Sequence, residues 1–167
     1  VATIYRISRN LEASVIQYIE AELVSANWTN ITVAKSFKKI YEIPINTFQK
    51  QGAICVRLSE TVHDKVQIGD DSTVRKPNIL IDVFATSDGQ RLDLKDILVS
   101  IFKGGFPYYE YETDKKNITK KTLNGRIRVV KIDDTEVNLG VDKSLLEVYD
   151  RFRHLIGISC NCGKIEV

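Results

Sequence analysis

The chain has 167 residues, 43% of them hydrophobic and 28% charged, with 24 basic against 22 acidic side chains and a net charge of +2. That length suits one domain with an ordinary core, 1–167, and needs no metal or disulfide staple. The balance excludes a disordered or collagen-like chain and argues against a dedicated nucleic-acid binder, which carries a strong basic excess.

No apolar run approaches the 18 residues of a membrane span, and Val1–Arg6 lacks the order of a signal peptide. Met is absent, which implies removal of an initiator before Val1, and the expected product is cytoplasmic. The cysteines agree. Cys55 sits in an apolar run, and Cys160-Asn161-Cys162 lacks both the spacing and the partner ligands of a zinc site.

Along the chain, Leu11, Val15, Ile19 and Leu23 recur every four residues and predict a helix over Asn10–Ser25, capped by Ser8 or Asn10. Ile31, Val33 and Phe37 alternate with polar residues as in a strand, and Pro44 allows an edge strand around Ile43–Thr47. Ala53–Leu58 reads as a second strand. It continues into a polar arm, Ser59–Lys76, in which Val62, Val66 and Ile68 share one parity and Gly69-Asp70-Asp71-Ser72 makes a turn. Asn78–Ala85 is apolar on both parities and reads as a strand covered on both faces.

A second helix begins near Ser87, presents Leu94, Ile97, Leu98 and Ile101, and stops at Gly104-Gly105. Phe106–Tyr111 is an aromatic edge strand, followed by a basic loop over 112–125 and a strand over Arg126–Ile132. Asp133-Asp134 suggests a turn, Ser144–Tyr149 a helical turn, and Asp150–Cys160 the last strand. The implied class is α+β, a mostly antiparallel sheet with two main helices on one face.

Three segments are candidates for function. Thr113–Lys131 holds Lys115, Lys116, Lys120, Lys121, Arg126, Arg128 and Lys131 against the single Asp114, which leaves the rest of the chain net acidic. Such a segment suits a solvated loop, an acidic patch on a neighbouring copy, or phosphate. Tyr108, Tyr109 and Tyr111 suit core or interface packing, ligand stacking, or addition of a further strand at the sheet edge. Asp82 with Asp93-Leu94-Lys95 evokes a metal-dependent nuclease, although Asp93 and Lys95 fall in a helical stretch rather than on a strand. His63 and His154 are isolated, and no phosphate loop, nucleophile elbow or zinc-protease motif is present. No catalytic residue, metal or cofactor is assigned.

The order of elements, with the stretch Lys76-Pro-Asn-Ile-Leu-Ile-Asp-Val-Phe-Ala-Thr-Ser-Asp-Gly-Gln-Arg-Leu-Asp-Leu-Lys95 and the closing Asp150-Arg-Phe-Arg-His-Leu-Ile156, resembles the tail-terminator and neck proteins of long-tailed bacteriophages. The resemblance covers most of the chain but carries no catalytic motif. It implies a structural virion protein that assembles in the host cytoplasm into a ring, commonly a homohexamer. Such a ring caps the tail tube, joins it to the head connector, and passes DNA through a channel without specific binding. Another head-completion or connector protein would fit the same features. Lys115, Lys116, Lys120, Lys121, Tyr108, Tyr109 and Tyr111 are then the candidate contacts between subunits.

Overall fold

The structure, a computed structural model, describes residues 5–114 and 117–167, with the side chains of 113, 114 and 117–119 outside the description. Its first element, α1 (Ile7–Ser25), buries Leu11, Val15, Ile19 and Leu23 to 2% exposure or less, as the four-residue spacing requires. The helix starts before either expected cap. Ser8 and Asn10 lie inside it, and their side chains are spent on strands: Ser8 Oγ accepts from Arg75 (3.0 Å) and Asn10 Oδ1 from the Tyr111 N–H (3.4 Å).

A three-residue strand β1 (Thr32–Ala34) follows, then two short helices, α2 (Phe37–Tyr41) and α3 (Ile45–Gln51). Ser36 caps α2 by accepting from the Lys39 N–H. The edge strand expected around Ile43–Thr47 is absent. Pro44 is instead the N-cap of α3, with φ −55° and ψ 137°, and its carbonyl accepts the first helical bond, from the Phe48 N–H (2.9 Å).

The sheet is built from β2 (Ala53–Lys65), β3 (Thr73–Ala85), β4 (Phe106–Asp114), β5 (Asn117–Glu136), β6 (Phe152–Asn161) and β7 (Ile165–Glu166), with α4 (Asp88–Phe102) between β3 and β4. Strand order is β1-β2-β3-β6-β5-β4, with β7 beside the start of β3, and every pairing is antiparallel except β1 with β2. The chain is therefore mixed α+β with a curled, mostly antiparallel sheet. The arm over Ser59–Lys76 is a β2–β3 hairpin whose last register pair is Lys65 with Thr73.

The largest departure from expectation is the basic loop. Most of 112–125 is strand: β5 pairs first with β4 and then, past a bulge at Val130, with β6. The expected turn at Asp133-Asp134 is likewise continuous strand, because both residues sit opposite β6, at Gly157 and Ile156. Ser144–Tyr149 resolves into two 3₁₀ turns, Lys143–Leu145 and Val148–Asp150.

Alternation of side chains divides the sheet into two faces. Ile54, Val56, Ile79, Ile81, Val83, Ile156 and Ile158 face α1 and α4 and form the main core. Cys55, Ala53 and Phe84 point the other way, into a smaller core closed by Ile40 of α2 and Phe48 of α3. Gly105 makes the tight passage from α4 to β4. It has φ +78°, and a Cβ there would lie 2.3 Å from the Ile127 carbonyl oxygen.

Candidate functional site

Asp82 lies on the second face of β3, 2% exposed, between two arginines. Its Oδ2 accepts from Arg57 Nη2 (2.8 Å) and its Oδ1 from Arg153 Nη2 (3.0 Å). The two guanidinium carbons stand 4.3 and 5.2 Å from the Phe37 ring centroid, and that of Arg153 is 4.6 Å from the Phe84 ring. Both carboxylate oxygens are thus engaged by cations, the opposite of an open metal-ligand position. Asp93 is exposed on α4, against the other face of the sheet, and Lys95 Nζ contacts Asp96 (3.1 Å) and Asp134 (3.6 Å). The structure does not bring Asp82, Asp93 and Lys95 together. Among the described residues, no three His, Cys, Asp or Glu side chains are placed to hold a metal ion.

Beneath α4 a polar network fills the edge of the main core. His154, 4% exposed, receives a hydrogen bond from Arg91 Nη1 at Nδ1 (2.7 Å) and contacts Asp134 Oδ1 through Nε2 (2.7 Å). Arginine cannot accept, so Nδ1 is the acceptor and Nε2–H donates to the carboxylate. That bond, with Lys95 nearby, holds the Asp134 carboxyl below its ordinary range. Glu136 is also lowered, chiefly by Lys143 Nζ at 2.8 Å, with Arg91 adding to it. Every member has a protein partner, so the network reads as a satisfied core histidine tying α4 to β5 and β6. His63 is exposed on the β2–β3 arm.

The candidate contact residues separate into different surroundings. Lys115 and Lys116 lie outside the described residues. Lys120 and Lys121 are exposed on β5, and Lys121 Nζ sits 3.9 Å over the Tyr109 ring. The Tyr111 hydroxyl donates to Gln17 Oε1 of α1 (2.9 Å), and Tyr108 is 7% exposed, packed into the main core. Burial pushes the Tyr108 and Tyr111 hydroxyls up from the ordinary phenol value.

Addition of a strand along β4 does not fit this geometry. The Tyr109 N–H donates to Ser14 Oγ (2.9 Å) and the Tyr111 N–H to Asn10 Oδ1 (3.4 Å), so α1 occupies the edge groups that an added strand would need.

A groove opens between the start of α1, the β4–β5 hairpin and the chain end. Tyr108, Ile7, Ile127 and Cys162 line one part of it, a cleft of about 320 Å³. Arg126 and Lys164 flank that cleft, and Arg6 and Lys120 line its continuation, against Glu110 and Glu112. The groove was not legible in the sequence, because Arg6, Tyr108 and Lys164 are brought together from both ends and the middle of the chain. Only Lys120 and Arg126 lay in a segment whose charge bias marked it. A second basic surface, Lys35, Lys38, Lys39 and Lys50 around α2 and α3, is exposed near the β1 end of the sheet.

No family model matches the chain, and no curated protein matches it either. Among solved structures, it is similar to a chain from the virion of a native gene transfer agent particle. The TM-score is 0.52 at 14% identity, covering 98% of this chain and 100% of the other. At that identity the likeness is one of fold, and it runs from end to end. No helix among the described residues is long and apolar enough to cross a membrane.

Proposed function

We propose that this chain is a structural protein of a phage-like virion that assembles as a ring at the junction of tail and head, as a tail terminator or neck component. The observation that carries this reading is the full-length fold likeness to a chain of a gene transfer agent virion. A shared fold alone is compatible with many functions. Here the surface supports assembly: a basic β4–β5 hairpin with Leu123 60% accessible stands on a chain that is otherwise net acidic. The proposed partners are further copies of the chain, the tail tube and the head connector, with localisation in the virion. A net-acidic remainder also suits a channel that passes DNA without gripping it.

The tyrosines act in this reading mainly as supports. Tyr111 ties the hairpin to α1, Tyr109 carries Lys121, and Tyr108 floors the groove. Lys120 and Lys121 supply exposed charge, and Lys115 and Lys116, outside the described residues, add two more bases to the same stretch of sequence. Reversing all four lysines to Glu is expected to abolish or strongly weaken self-association; assembly that persists unchanged would overturn the hairpin's role. Incubation of the protein with supercoiled DNA and magnesium is expected to leave the DNA intact. Cleavage that co-purifies with the wild type and is lost in Asp93→Ala, an exposed position, would contradict a purely structural role.

A further inference from the structure

The β2–β3 arm ends in a tip that stands free of the other described elements. Ile68 is fully exposed at 105%, and Val62 and Val66, on the same parity, are 40% and 45% exposed. The tip is nonetheless built. The Val66 N–H bonds to the Ser72 carbonyl (3.1 Å), Asp70 accepts from Gln67 (3.0 Å) and from the Ser72 N–H (3.1 Å), and Lys65 Nζ reaches the Asp70 carbonyl (3.1 Å). Asp71 beside it is 105% exposed, with a contact to Lys65 at 4.0 Å. The result is a pre-formed apolar knob next to two carboxylates.

Its complement lies at the base of the same arm. The groove has an apolar lining, Ile7, Tyr108, Ile127 and Cys162, and a rim on which Arg6, Lys120, Arg126 and Lys164 outnumber Glu110 and Glu112. An arm cannot fill its own groove. Arg75, at the base, is fixed by two bonds to Glu166 (2.9 and 3.1 Å), and its carbonyl accepts from the Cys162 N–H (3.1 Å). From there the paired ribbon runs two residues outward to Thr73, about 7 Å at strand rise, and the turn beyond the Lys65–Thr73 pair carries Ile68 further out.

We infer that the arm tip of one copy seats Ile68 in this groove of the next copy, with Asp70 and Asp71 against the basic rim. Knob and groove are different surfaces of one chain, so the contact is head-to-tail, the kind that builds a ring when its rotation closes. A tip already held in shape loses little freedom on docking. This inference rests on the ring reading and specifies the contact that builds it.

The test is covalent capture. Cys162 lines the groove, whereas Cys55 and Cys160 are buried. Ile68→Cys, oxidised gently, is expected to give a ladder of disulfide-linked oligomers on a non-reducing gel. The ladder should vanish in Ile68→Cys/Cys162→Ser and return when Asn124→Cys, at the more open rim, is added. Leu139→Cys, 76% exposed and outside both surfaces, serves as control and should give none. Ile68→Asp, at a side chain open to solvent, is expected to keep the wild-type circular dichroism and melting midpoint while weakening self-association at least tenfold. An oligomeric wild type in which Ile68→Cys links neither to Cys162 nor to the thiol introduced by Asn124→Cys would overturn the docking, leave the ring reading standing, and give the groove to a different protein. A wild type that does not self-associate, with an Ile68→Cys variant that does not cross-link, would overturn both.

Discussion

At the scale of single residues, the carboxylate that looked most like a catalyst is a structural counter-ion. Asp82 holds two guanidinium groups over aromatic rings, and removing it leaves Arg57 without its ion pair and Arg153 with only the longer contact to Asp150 (3.7 Å). Asp82→Asn is expected to cost about 3 kcal/mol, at the low end for breaking a buried pair because Arg57 is 38% exposed. Chemical denaturation would read it as a lower midpoint, and an unchanged midpoint would remove the assigned role. Asp134 and Glu136 give a second prediction. Their carboxyls are held below their ordinary values of 3.8 and 4.5, so their stabilisation is present above that range and is lost as pH falls through the lower folded-state values. The urea midpoint should therefore drop steeply from pH 5 to pH 3 and less steeply in Asp134→Asn/Glu136→Gln, whose partners Arg91, Lys95, Lys143 and His154 stay in place. Equal slopes in the two proteins would contradict the linkage.

At the scale of elements, the junctions that hold the hairpin against α1 are the informative ones. Ser14 is fully buried and bonds the Tyr109 N–H, so Ser14→Ala leaves an edge donor without a partner at a cost of about 1–3 kcal/mol. The same change should expose β4 to strand addition, visible as faster aggregation on warming. Gly105→Ala forces a side chain into a left-handed backbone and against the Ile127 carbonyl, and is expected to lose at least about 1–3 kcal/mol. A wild-type melting midpoint in either variant would refute these local accounts.

These elements also mark what periodicity could reveal. The stripe of α1 and the apolar face of α4 each report burial against a single surface, and the apolar run of β3 reports burial on both faces, so the sequence carries them openly. The β4–β5 hairpin hid for the converse reason. Its outer stretch is solvent-exposed over Lys120–Arg126, so polar and basic residues stand where a buried strand would alternate. Pro44 misled because the same fixed φ that weakens a strand also opens a helix, and only the packing of Phe48 beneath it decides between the two. The groove lay beyond any local pattern, being assembled from residues as distant as Arg6 and Lys164.

At the scale of the whole molecule, a near-neutral chain divides its charge by region: bases on the β4–β5 hairpin and around α2 and α3, carboxylates at the arm tip and on the exposed side of α4. Contacts that depend on such segregation weaken as salt screens them. Self-association is therefore expected to fall several-fold between about 0.05 and 0.5 M salt, as followed by sedimentation, and salt-independent association would point to an apolar interface instead. On the proposed function, copies of this chain close into a ring. The mass of the purified protein by light scattering, with negative-stain images of the same sample, tests it most directly. A ring gives a discrete multiple of the 19.0 kDa chain and annular particles with a central hole. A monomer at every concentration, with no annular particles, would contradict it.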